Sequence, residues 1–178
     1  MQGPSKELAI GDRAPDFVLP GPDNKFYQFY ERTRGRPQIL FFYPGKNSDA
    51  WSQVANLARC FNEFEGLGVD IFGVNMDTVK NNKKLKLPFF VWSDINKKIT
   101  EHYLRAAGIT LEQKKAINIF LLDANQRVLD IKTGLEESVL ASILKFYDEL
   151  PPYQEPMLMS ANAPVLLMPN LLDPRMCE

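Results

Sequence analysis

The sequence predicts an α/β fold in which helices flank a mixed central sheet. Three observations predict it. A strand-sized apolar run at 38–43, an amphipathic stretch at 49–67 and a second apolar run at 69–74 follow one another in that order. Two further short runs, 116–122 and 127–132, are separated by Asp123-Ala124-Asn125. A last amphipathic stretch then fills 136–150.

The first run is aromatic-rich and stopped by Pro44-Gly45, as a buried strand would be. In the stretch that follows, Val54, Leu57, Ala58, Phe61 and Phe64 recur at helical spacing. Ser48 or Asp49 is placed to cap it, accepting from first-turn amides, and Gly66 and Gly68 end it. The run 69–74 is continuous and β-branched, so the unit is strand–helix–strand with neighbouring parallel strands. A Lys/Asn-rich turn or short helix occupies 79–87, and Pro88 leads into a short strand at 89–92. Residues 96–107 read as a helix with Ile99, Tyr103 and Ala106 on one side, closed by Gly108. The paired runs 116–122 and 127–132 read as a hairpin. The final stretch carries Val139, Leu140, Ile143, Leu144 and Tyr147 on its apolar face.

Composition narrows the function classes. The 178 residues allow one domain, 1–150, followed by a proline-rich linker or tail, 151–178. With 21 basic and 22 acidic side chains the formal net charge is −1, so no basic field exists to hold nucleic acid or an anionic membrane. No apolar run approaches the ~20 residues of a membrane-spanning helix, and the charged first eight residues lack a signal-peptide core. A cytoplasmic protein is expected. One histidine and two distant cysteines, Cys60 and Cys177, build neither a zinc knuckle nor a Cys-x-x-Cys pair. Neither a metal nor a cofactor is expected in this chain.

In the tail, Pro151, Pro152, Pro156, Pro164, Pro169 and Pro174 favour extended backbone. The segment 164–169 reads as a strand. Asp173-Pro174 announces a helix that gets only four more residues, which reads as a chain cut short.

Several segments together carry a family resemblance. Gly11-Asp12-Arg13-Ala14-Pro15-Asp16-Phe17, Leu40-Phe41-Phe42-Tyr43-Pro44, Phe72-Gly73-Val74-Asn75-Met76-Asp77, Pro88-Phe89 with Ser93-Asp94, and Phe120-Leu121-Leu122-Asp123 occur in this order. The set resembles the peroxiredoxins, the alkyl hydroperoxide reductase and thiol-specific antioxidant branch of the thioredoxin-like proteins, over roughly residues 8 to 150. The resemblance implies a thioredoxin-like mixed sheet and, by analogy, a homodimer. It also implies a peroxide site built from Pro-x-x-x-Thr-x-x-Cys at a helix start, with an Arg from a later strand. The helix terminus and Arg⁺ keep that sulfur a thiolate. Laid on this chain, the motif falls on Pro44, Ser48 and Trp51, and the Arg position falls on Ile117. An indole is no nucleophile toward peroxide, and Ile cannot stabilise a thiolate.

Cys60 is the other thiol candidate. It lies nine residues beyond Trp51, about 14 Å along a helix and outside the reach of its dipole. Its neighbours Leu57, Phe61 and Phe64 favour a half-buried packing cysteine over a redox thiol. A Cys60–His102 dyad, which nothing in the spacing requires, is weighed against a plain helix-surface imidazole for His102, the favoured reading. Lys80, Lys83, Lys84 and Lys86, with Lys97, Lys98, Lys114 and Lys115, form either a binding patch or ordinary solvated faces, the latter favoured. Trp51 either plugs the vacated pocket, the favoured reading, or stands exposed as a binding anchor. Asp49 is read as a capping residue.

The segment 163–174, continuing to Cys177, resembles the start of a prolyl-hydroxylase-type Fe(II)/2-oxoglutarate oxygenase domain. That family's His-x-Asp…His iron site has no counterpart in this chain. The expectation is a non-catalytic binding, regulatory or dimerising module at the N-terminus of such an oxygenase. The alternative is a thiol-dependent peroxidase or oxidoreductase using Cys60. A partner-binding module acting through Trp51 and the lysine face stands third.

Overall fold

The computed structural model describes residues 8–33, 35–110 and 113–151. The features expected in the tail beyond Pro151, a strand, a cut-short helix and an oxygenase-like segment, lie outside the described residues.

Two strands of three residues, β1 (Val18–Pro20) and β2 (Phe26–Gln28), pair antiparallel and run directly into α1 (Phe29–Thr33). The sequence reading began its elements at residue 38 and missed all three. Three-residue strands are too short to show alternation. Leu19 and Tyr27 pack inward, while Val18 and Phe26 stay exposed.

The main sheet is built from β3 (Gln38–Phe42), β4 (Asp70–Asn75), β5 (Phe90–Ser93), β6 (Asn118–Leu122) and β7 (Val128–Thr133), in the order β5-β4-β3-β6-β7. The β3–β4 and β4–β5 pairs are parallel, while β6 runs antiparallel to both β3 and β7. A mixed sheet flanked by helices is therefore what forms.

β3 is central and buried on both faces, which is why its sequence is a continuous apolar run rather than an alternating one. Ile39, Phe41 and Tyr43 belong to one core, together with Val54, Leu57, Phe64, Ile119, Ile143 and Tyr147. Leu40 and Phe42 belong to the other, with Phe17, Phe29, Trp92, Tyr103 and Phe120. The sheet separates the two.

The helix expected at 49–67 is two helices, α2 (Trp51–Arg59) and α3 (Phe61–Gly66), meeting at Cys60. Cys60 N–H is shared between the carbonyls of Asn56 and Leu57, and its ψ opens to 7°. Hydrogen bonds continue across the joint, so the apolar periodicity gives no sign of it.

Capping also differs from expectation. Neither Ser48 nor Asp49 caps α2; Ala50 precedes it with helical backbone and no side-chain acceptor. The Ser48 hydroxyl donates instead to Gly45 O at 2.6 Å, and Ser48 O accepts from Trp51 N at 3.1 Å. The loop turns on itself before the helix starts.

α4 (Val79–Leu85) is the short Lys/Asn-rich helix, capped by Thr78, which accepts from Asn81 N. α5 (Lys98–Ala106) and α6 (Glu137–Glu149) fall within the expected spans. The strand expected at 116–122 starts at Asn118, because a 3₁₀ turn, Gln113–Lys115, precedes it and the Asn118 side-chain amide donates to Gln113 O and Ala116 O. No helix among the described residues is long and apolar enough to cross a membrane.

Candidate functional site

The parallel pair β3–β4 brings two loops together at its C-terminal end, where ligand crevices form in open α/β sheets. One loop runs from Pro44 to Ala50; the other holds Met76 and Asp77. They are stitched by Met76 N to Pro44 O, 3.3 Å, and by Lys46 N to Asp77 Oδ2, 3.0 Å. Gly45 has φ +152°, and a Cβ there would lie 2.8 Å from both oxygens of the Asp77 carboxylate. Only glycine lets the carboxylate sit this close.

Beneath the loops lies a buried amide pair. Asn75 Nδ2 donates to Asn82 Oδ1 at 2.7 Å, and Asn82 Nδ2 returns a bond to Asn75 Oδ1 at 2.9 Å. Asn75 Nδ2 also reaches Tyr43 Oη at 2.9 Å, while Asp77 N donates to Asn75 Oδ1 at 3.2 Å. Burial is the main cause that pushes the Tyr43 phenol up to about 12; the Asp77 charge adds to it and the Asn75 bond opposes it. Ser93 closes the frame by donating its hydroxyl to Asp77 O.

The structure splits the residues singled out by the motif. Pro44 and Ser48, with Gly45, Asn47 and Asp77, line a cavity of about 190 Å³. Trp51 and Ile117 are not in its wall. The half-buried Trp51 packs against the first core, its ring 6.5 Å from that of Tyr43 with the planes tilted by 33°. Ile117 is fully buried in the same core. The indole lies against the first core and outside the wall of that cavity. Asp49 is exposed and caps nothing.

Cys60 is half-buried against the first core, as the packing reading expects. Burial, then the Glu63 carboxylate, pushes its thiol up, away from thiolate character. His102 is exposed on α5, whose Tyr103 and Leu104 fill the second core. The sheet lies between the cores, so no Cys60–His102 dyad assembles.

Lys84 alone of the eight lysines singled out in the sequence joins Lys46, Asn47, Asp77, Asn81 and Leu85 around a second cavity of about 180 Å³. Lys80, Lys83, Lys86, Lys97, Lys98 and Lys115 are exposed and Lys114 half-buried, none of them in its wall. Sequence reasoning missed Asp77, Asn75, Asn82, Gly45 and Lys46 as site residues. Buried asparagine in an otherwise apolar strand was the available signal for Asn75. Among the described residues no cluster of three or more His, Cys, Asp or Glu could hold a metal ion.

The model of the AhpC/TSA family matches residues 10–131. No curated protein sequence matches the chain. Among solved structures, the peroxidoxin BcpB of Mycobacterium tuberculosis superposes with a TM-score of 0.67 at 19% identity, covering 82% of this chain and 99% of that one. The reduced 2-Cys peroxiredoxin of Plasmodium vivax gives 0.63 at 19% identity, covering 82% and 81%. A structure described as a thiol:disulfide interchange protein DsbE of Chlorobium tepidum gives 0.57 at 23% identity, covering 79% and 99%. At these identities the likeness concerns the fold.

Proposed function

Because the chain belongs to the AhpC/TSA family, with the thioredoxin-like fold of peroxiredoxins, we propose that it is a member without peroxide chemistry, acting as a binding, regulatory or dimerising module. One observation carries this reading. Trp51 and Ile117, at the positions where the family motif would call for Cys and Arg, are both packed into a single apolar core. An indole and a butyl group in contact with that core replace a thiolate and its counter-charge.

The resemblance of the tail to an oxygenase start supports placing this module ahead of an Fe(II)/2-oxoglutarate oxygenase in a longer chain, and the family analogy supports a homodimer. The iron site would then belong to that following domain.

Peroxide consumption in the presence of a thiol reductant tests the reading. Wild type and Cys60→Ser are expected to match the protein-free blank. Turnover in wild type that disappears in Cys60→Ser would establish the alternative, a peroxidase using Cys60, against which the raised thiol pKa speaks.

A further inference from the structure

The two cavities at the loop mouth adjoin, with Asn47 and Asp77 lining both, and the one on the Lys84 side is a polar depression. Its charges are uncommitted. The ion pairs among the described residues tie Arg36 to Glu65 and Asp70, and Lys132 to Asp130; Lys46, Lys84 and Asp77 enter none of them. Asp77 Oδ2 takes the Lys46 backbone amide, while Oδ1 takes no hydrogen bond within the described residues. The carboxylate is nevertheless fixed, from one side by Gly45 and Lys46 N and from the other by the Asn75–Asn82 pair beneath Asp77 N. Two cations, one held carboxylate and the side-chain amides of Asn47 and Asn81 therefore surround about 180 Å³ on the Lys84 side, on the order of six water volumes. The space is too small and too polar for an extended or apolar ligand.

We propose that this depression binds a small zwitterionic amino carboxylate, of the size of glycine to serine. Its carboxylate meets Lys46 and Lys84, its ammonium meets Asp77 Oδ1, and Asn47 and Asn81 supply neutral hydrogen bonds. A simple anion satisfies the lysines but faces the Asp77 charge, and a simple amine meets the reverse conflict. A ligand that carries both signs matches both. The lysines are exposed and solvent-screened, so affinity is set in the millimolar range and selectivity is the more telling quantity. This deepens the binding-module reading above and rests on it.

The test is a chemical-shift titration of the full chain with glycine, acetate and methylammonium. Glycine is expected to shift amides of residues 44–48 and 77–84 saturably and to bind at least threefold tighter than either single-charge probe. Lys84→Ala, on the exposed face of α4, is expected to weaken glycine and acetate about threefold alike, and Lys84→Arg to restore both. Asp77→Asn is expected to remove the preference for glycine over acetate. Acetate binding as tightly as glycine in wild type, or no saturable shift with any probe, would overturn the proposal. A silent titration with no peroxide turnover removes this ligand alone, whereas peroxide turnover removes the reading beneath it.

Discussion

Trp51 leans on Tyr43, ring centroids 6.5 Å apart, at the place where the chain leaves its central strand and enters α2. The contact joins the first residue of the helix to the last aromatic of the apolar run, and both side chains belong with the first core. The indole thus closes the top of that core.

Converting Trp51 to cysteine puts a sulfur at the helix start without restoring the chemistry. Trp51→Cys is expected to lose about 2 kcal/mol of stability from the half-buried ring. It is expected to stay within tenfold of the blank in peroxide consumption, because no cation stands at Ile117. Adding Ile117→Arg buries a charge among apolar side chains and is expected to cost a further ~3 kcal/mol or more. Urea denaturation and a coupled peroxide assay check both. Turnover a hundredfold above blank in the single variant would show that the pocket is still poised for a thiolate.

The Asn75–Asn82 pair gives a second expectation. Each amide both donates to and accepts from the other in a buried setting. Asn82→Leu removes one of two partners from each polar end of Asn75, leaving Tyr43 Oη and Asp77 N, which costs about 1–3 kcal/mol. The expected signature is a lowered urea midpoint together with faster hydrogen exchange at Asp77 N, whose acceptor is Asn75 Oδ1. An unchanged midpoint would mean that water satisfies the pair.

How much of this was legible beforehand follows from the length scale of each feature. Elements that bury an apolar face over five residues or more were visible: β3 and β6 as continuous runs, and α5 and α6 as amphipathic stretches. The β1–β2 hairpin and α1 were not, because three-residue strands with Val18 and Phe26 exposed form no continuous apolar run, and five residues are too few for a helical period. Trp51 and Ile117 could be read from their chemistry as unable to replace a thiolate and its counter-charge, but not as members of one core. The depression could not, since Asp77 and Lys84 approach the loop after β3 only through the β3–β4 pairing. Ser48 shows the limit of local signals: its hydroxyl found Gly45 O before any helix amide.

Alkaline pH should expose the buried phenol. The folded-state value of Tyr43, about 12, lies above the ~10 of an unfolded tyrosine. Between those values the folded chain holds the proton more often than the unfolded chain, so stability falls as pH rises. The contribution is intact below pH 10 and diminishes through pH 12, by up to about 2–3 kcal/mol. Tyr103 and Tyr147 are pushed up by burial in the same direction. Tyr43→Phe is expected to lose less stability than wild type over that window, measured as the change in urea midpoint from pH 9 to 11.5. Equal losses would place the titration elsewhere.

Cys60 should behave as a slow thiol. Burial and the Glu63 carboxylate both disfavour its thiolate, with Arg59 opposing them weakly. Alkylation at pH 7.5 is expected to run several-fold slower than for a free cysteine in a peptide, with a rate that climbs steeply toward pH 10. Glu63→Gln removes the neighbouring charge and is expected to speed the reaction about twofold or more at pH 7.5, with burial unchanged. A fast, pH-insensitive reaction in wild type would mean that the joint between α2 and α3 holds the sulfur as a thiolate.

The last expectation concerns the glycine on which the loop turns. Gly45 has φ +152°, and an added Cβ would meet the Asp77 carboxylate at 2.8 Å. Gly45→Ala therefore both strains the backbone and pushes Asp77 away, and is expected to cost about 1–3 kcal/mol. The carboxylate also accepts the Lys46 amide, so its displacement should release that N–H. Hydrogen exchange at Lys46 is expected to quicken by an order of magnitude or more, while exchange in β3 slows or holds. Pairing this variant with Asp77→Ala separates the causes. If the clash is the source, the alanine side chain at 77 leaves room for the new Cβ and the second substitution adds little cost to the first. A strictly additive pair would place the penalty in the φ angle alone.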